Sequence, residues 1–112
     1  MKTFFMIIAS LSMLAFIACE SQQHILVTVI DEDTEQALDS VFVQVDAGKN
    51  GNYNMNSAEG FTNESGEYET YMMIGCSFGC YDIQMTYTKP GYKELIQLNN
   101  TTGKISLEKE QK

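Results

Sequence analysis

The sequence predicts an all-β domain, a seven-stranded antiparallel β-sandwich. Three observations carry that prediction. Apolar residues recur at period two in short runs. Polar turns containing Gly or Pro separate the runs. No stretch beyond residue 24 sustains the i, i+3, i+4, i+7 spacing of an amphipathic helix.

Ile25, Val27 and Val29 alternate and give the first strand. Val41, Val43 and Val45, around Phe42 and Gln44, give the second. Phe61-Thr62 and then Glu67 to Met73 flank Asn63-Glu64-Ser65-Gly66, a polar turn ending in Gly. Tyr81, Ile83, Met85 and Tyr87 alternate around Asp82, Gln84 and Thr86. Residues 92–98 and 104–107 are the last two extended runs. Between them and the fifth strand stands Lys89-Pro90-Gly91-Tyr92, a type II turn signature. Strands with one apolar face must bury it against another sheet, hence two layers.

Residues 47–59 break the rhythm. They are polar and rich in Asn and Gly, and read as a long surface loop between strands. Loops held on a rigid sheet frame are common carriers of binding function. Asn50, Asn52, Tyr53, Asn54 and Met55 are therefore the candidate binding residues, with Tyr53 the amphipathic ring best suited to an anchor. A plain solvated insertion is the simpler reading of the same residues.

The chain has 112 residues, room for one domain. Its formal net charge is −8, and all 7 of its basic residues are lysines. That balance argues against nucleic acid as a partner, because such a module needs a basic stripe to displace counterions. A single histidine, His24, argues against a catalytic triad or a His-based zinc site. The expectation is a non-enzyme with no cofactor and no assigned metal site.

Residues 1–18 read as a targeting segment. Lys2 supplies a positive start, and residues 4–17 form an apolar stretch of signal-peptide length, short for a membrane span. It ends in Phe16-Ile17-Ala18-Cys19. This resembles the lipobox of bacterial lipoproteins, with Phe16 where Leu is usual. The resemblance implies cleavage before Cys19 and lipidation of that cysteine, whose acyl chains would anchor the protein to a membrane. A plain secretory signal cut after Ala18 is the other reading. Residues 19–24 then read as a short polar tether, 25–108 as the domain and 109–112 as a tail. His24 reads as exposed linker. The implied location is the bacterial cell envelope, on a periplasmic or a surface-exposed face.

Cys76 and Cys80 remain as an even pair in an exported chain, and read as a disulfide closing a short turn. A redox or copper-binding pair helped by Met72 and Met73 is the alternative, opposed by strand alternation, which points the two methionines to opposite faces. Asp31, Glu32, Asp33 and Glu35 crowd one turn and could hold Ca²⁺, but lack the EF-hand order. The simpler expectation is a solvated turn in which Asp31 caps its own backbone. Asp39-Ser40-Val41 is similar to a bacterial O-glycosylation acceptor, and reads more simply as a strand entry.

The order of these pieces resembles that of carboxypeptidase regulatory-like domains. Val29-Ile30-Asp31, Thr34 and Ala37-Leu38-Asp39-Ser40-Val41-Phe42-Val43 are similar to their opening V-x-D, T-G and P-L-x-G-V-x-V. Thr62-Asn63-Glu64-Ser65-Gly66-Glu67-Tyr68 resembles their T-D-x-N-G-x-Y hairpin, and Tyr81 to Tyr87 with Gly91-Tyr92 their later strand and closing G-Y. Glu35 and Ser40 stand where that pattern has glycines, and Ala37 where it has proline. The resemblance implies a transthyretin-like (prealbumin-like) sandwich without catalytic residues. The functional expectation is a lipid-anchored envelope module that binds a protein or a glycan. A small-ligand or metal (Ca or Cu) binding lipoprotein is the second reading.

Overall fold

A computed structural model of the chain describes residues 20–75 and 81–110. The proposed signal peptide, Cys19 and the Cys76–Cys80 pair lie outside the described residues. Seven strands run in order: β1 Glu20–Asp31, β2 Phe42–Lys49, β3 Asn52–Phe61, β4 Glu67–Gly75, β5 Asp82–Thr88, β6 Leu95–Leu98 and β7 Thr102–Leu107. They form two sheets, β4-β1-β7 and β3-β2-β5-β6. Among the described residues there is no helix. The chain is thus the all-β sandwich that period-two alternation predicts.

The inward faces are the alternating residues read from the sequence. Ile25, Val27 and Val29 of β1 are fully buried, as are Val41, Val43 and Val45 in and beside β2. Ile83, Met85 and Tyr87 of β5 stand beside the β2 valines in the four-stranded sheet, and Met72, Ile74, Ile105 and Leu107 join β1 in the three-stranded one. Each such side chain contributes about 1.5–3 kcal/mol by leaving water, so the interleaved faces are the main source of stability. Met72 is buried and Met73 is 49% exposed, on opposite faces as alternation requires.

Five details depart from the expectations. The sandwich is not antiparallel throughout: β1 and β7 are parallel, Val27 opposite Gly103 and Val29 opposite Ile105. The chain leaves the four-stranded sheet after β6 and crosses over to reach β1's free edge, which sets that direction. The tether does not dangle either. Glu20 pairs with Gly75 and Gln22 with Met73, so residues 20–24 are the first part of β1. At the other terminus Lys109 bridges Tyr92, and the Glu110 amide donates to the Gly91 carbonyl, which holds part of the supposed tail. The sixth strand is only Leu95–Leu98, because the type II turn at Lys89–Tyr92 and its exit use the residues before it.

The fifth departure is the largest. Residues 47–59 are no loop but a β-hairpin, in which β2 and β3 pair from Phe42↔Phe61 to Lys49↔Asn52. Asn50 and Gly51 form its turn, with φ of 55° and 81°. Two successive positive φ values define the type I′ turn that suits the twist of paired strands, and Asn-Gly is its preferred sequence. A register shift between Ala47 and Lys49 bulges β3 just behind the tip.

The 63–66 turn forms as read: the Gly66 amide donates to the Asn63 carbonyl, and Asn63 Oδ1 accepts from the Ser65 and Glu67 amides. It joins β3 of one sheet to β4 of the other, so it is a link between layers and not a hairpin. A Cβ on Gly66 would lie 2.6 Å from the Val29 carbonyl oxygen, which leaves room for glycine alone.

Candidate functional site

The candidate residues Asn50, Asn52, Tyr53, Asn54 and Met55 come together at one place, the tip of the β2–β3 hairpin. Asn50 and Gly51 are in the turn, and Asn52–Met55 are in the first part of β3. The Asn54 amide donates to Asn52 Oδ1, which stiffens the bulged strand. Tyr53 is half-buried and Met55 is 55% exposed. Lys49 Nζ lies 5.6 Å from the centre of the Tyr81 ring, a cation–π approach at the base of the tip. Asn56 Nδ2 donates to the Met73 carbonyl at 2.8 Å and ties β3 to the edge of the other sheet. The tip is therefore a bulged two-stranded hairpin, in which Tyr53–Met55 have no partner in the β2 ladder.

A second surface was not singled out from the sequence. The outer face of the four-stranded sheet carries Phe42 opposite Phe61, with ring centroids 5.3 Å apart and tilted by 54°. Along the same face stand Ile96 opposite Thr86 and Leu98 opposite Gln84. Phe61, Ile96 and Leu98 are all more than half exposed. The signal was a single residue: Phe42 sits at the opposite parity to Val41 and Val43, on the face that Gln44 and Asp46 share. Thr86 and Gln84 of β5 separate the two pairs on this face.

The acidic turn is organised around one carboxylate. Asp31 is buried, and its Oδ1 accepts from the Asp33 and Thr34 amides at 2.8 and 3.0 Å. Its Oδ2 accepts from the Tyr92 hydroxyl at 2.6 Å, with Lys109 Nζ 3.6 Å away. The Tyr92 hydrogen bond, then the Thr34 and Asp33 amides and the Lys109 charge, hold the Asp31 carboxyl down at about 2. The same bond pushes the Tyr92 hydroxyl up. Asp31 thus caps its turn, as expected, with its two oxygens engaged by the Asp33 and Thr34 amides and the Tyr92 hydroxyl. Glu32, Glu94 and Glu108 line an open groove of about 280 Å³ nearby, together with Lys93, Leu95 and Ser106.

His24 has partners, which corrects its reading as linker. Its ring stacks on Tyr71 with centroids 4.6 Å apart and planes 13° from parallel, and its Nε2 lies 2.7 Å from Glu69 Oε2. The cause is register: β1 extends past Ile25 and sets His24 directly opposite Tyr71. Cys19, Cys76 and Cys80, the lipidation and disulfide residues, lie outside the described residues.

A scan against protein-family models finds no match, and no curated protein matches by sequence. Among solved structures, the fold is similar to the crystal structure of 3-chlorocatechol 1,2-dioxygenase from Rhodococcus opacus 1CP. The TM-score is 0.61 at 12% identity, covering 80% of this chain and 60% of that one. The chain spans less than two thirds of the dioxygenase's length, and the likeness is one of β-sandwich architecture.

Proposed function

We propose that this protein is a lipid-anchored module of the bacterial cell envelope, of the carboxypeptidase regulatory-like kind, that holds a protein partner on the outer face of its four-stranded sheet. The observation that carries the binding reading is the two apolar groups on that face, exposed Phe61 against half-buried Phe42 and exposed Ile96 beside Leu98, with Thr86 and Gln84 of β5 between them. Aliphatic Ile96 and Leu98 favour a protein over a glycan, since sugars stack on aromatic rings. They stand on β6, a short edge strand whose free side can accept a further strand. The net charge of −8 favours a neutral or basic partner.

Two features support the family reading. Glu35 and Ser40, which stand at the pattern's glycine positions, have φ of 60° and 55°, the backbone that glycine prefers. Residues Ala18-Cys19 directly before β1 support the anchor.

The test is affinity capture from envelope extracts with the wild type and an Ile96→Asp/Leu98→Asp variant matched for melting temperature. A protein recovered by the wild type and lost by the variant supports the reading. Equal recovery by both, or recovery of glycan alone, overturns it. Separately, Cys19→Ser should leave the membrane fraction, and its retention there would place the anchor elsewhere.

A further inference from the structure

The two sheets end in four edge strands, β4 and β7 of one and β3 and β6 of the other. An unpaired edge invites a further strand, and three of these are guarded. β4 is capped at both ends. Asn63 Oδ1 accepts from the Glu67 amide, and the Asn63 amide donates to the Glu67 carbonyl. Asn56 Nδ2 donates to the Met73 carbonyl, and the exposed carboxylate of Glu69 stands between these caps. β7 carries exposed Lys104 at its middle, and beyond its end the Glu108 carbonyl accepts from the Lys93 amide. β3 is bulged behind its turn and carries the charge of Glu59.

β6 has none of these devices. The Asn99 amide donates to the Ile83 carbonyl, one step beyond the Gln84↔Leu98 pair. Bonded pairs alternate along an antiparallel ladder, so Gln97 and Leu95 bond to β5. The N–H and C=O groups of Ile96 and Leu98 then point away from β5, and among the described residues nothing bonds them. Their side chains are the exposed aliphatic pair of the outer face.

Beside this edge lies the open groove of about 280 Å³, with Leu95 on its β6 wall and Ser106 on its β7 wall. Glu32, Glu94 and Glu108 surround it. Lys93, the cation of that lining, sits 3.2 Å from Glu108, and Glu32 and Glu94 have no ion pair among the described residues.

Resting on the reading of a protein partner above, we infer that β6 is a strand-addition edge, to which the partner supplies an extended segment of alternating apolar and basic residues. Its backbone pairs with Ile96 and Leu98. Its apolar side chains lie beside theirs on the outer face. The alternate side chains turn inward to the groove, where Lys or Arg meets Glu32 and Glu94 with its stem on Leu95. β6 spans 4 residues, so the paired stretch is equally short.

The probes are octapeptides of alternating Val-Lys and of alternating Val-Glu. Two further Val-Lys peptides carry methyl groups on every Val or on every Lys backbone nitrogen, and one of these two sets faces β6 in either strand direction. Amide hydrogen exchange is followed by NMR in the full-length protein. In the free protein the Ile96 and Leu98 amides exchange fast. The Val-Lys peptide should slow both by roughly tenfold or more, without equal slowing along β4 or β7. Val-Glu should not slow them, and one methylated peptide should fail while the other binds. Slow exchange in the free protein, no slowing by Val-Lys, equal slowing by Val-Glu, or equal action of both methylated peptides overturns the inference. So does slowing that follows protein concentration without peptide, which would put a second copy at the edge. A partner captured in the test above, with these amides unprotected by Val-Lys, removes strand addition alone and leaves the face reading standing. Equal capture by the wild type and the Ile96→Asp/Leu98→Asp variant removes that reading, and this inference with it.

Discussion

The Tyr92 hydroxyl donates a 2.6 Å hydrogen bond to Asp31 Oδ2 across 61 positions of sequence. It joins the end of β1 to the turn that precedes β6, and so ties the two sheets beside the acidic turn. Asp31 also gathers the backbone of its own turn.

That arrangement sets an acid dependence. The folded-state carboxyl of Asp31 titrates at about 2, below its ordinary 3.8. Its contribution is therefore present above the ordinary value and is lost as pH falls through the folded one. Asp31→Asn should melt lower than the wild type at pH 7, and the gap should close by about pH 2. Thermal melts across that range check it; a gap independent of pH would mean that Asp31 acts only through its shape.

Core and tip should separate cleanly. Val43 is fully buried between the sheets, so Val43→Ala should cost about 2 kcal/mol and lower the melting temperature by roughly 10 °C. Tyr53→Ala should barely move it. Gly51→Ala, at φ 81°, should cost about 1 kcal/mol by opposing the type I′ turn. Denaturant midpoints rank the three, and a neutral Gly51→Ala would argue for a mobile loop in place of a hairpin.

Ser40 holds φ at 55°, and its amide donates to the Thr62 carbonyl. Ser40→Gly should raise stability by about 0.5–1 kcal/mol, and Ser40→Val should lower it, because a β-branched side chain resists that backbone. Equal unfolding midpoints for the two variants would remove strain as the explanation.

Thr62 is a buried clamp. Its Oγ1 accepts from the Val41 amide at 3.0 Å and donates to the Leu38 carbonyl at 2.7 Å. Thr62→Val keeps the shape but strands the Val41 amide, at a cost of about 1–3 kcal/mol. Urea unfolding measures this, and an unchanged midpoint would show that water replaces the hydroxyl.

Cys76 and Cys80 are expected to form a disulfide in envelope-prepared protein, with intact mass rising by about 2 Da on reduction. Two free thiols in that material would refute the bridge.

The core was legible because it repeats one simple signal: Val27, Val43 and Met85 are each the middle of an apolar alternation, and each is fully buried. β3 was illegible for the opposite reason. It is an edge strand with few inward apolar side chains, so Asn52–Asn56 carry no alternation to read. Only the Asn50-Gly51 pair announced the hairpin, and it was lost in a polar stretch. The β1–β7 pairing and the partners of His24 depend on register, which no local pattern encodes. The pairing of half-buried Phe42 with exposed Phe61 needed the neighbouring strand to be seen.

The three-stranded sheet has its earliest strand at the centre and its latest at one edge. β1 emerges first from any process that handles the chain from its N-terminus, yet its parallel neighbour β7 is the last strand to appear. Ile105 and Leu107 are needed to seal the core over Val29. Closure of the sandwich must wait for nearly the whole chain. Any event that withholds residues 102–107 leaves the Val29 end of the core open to water.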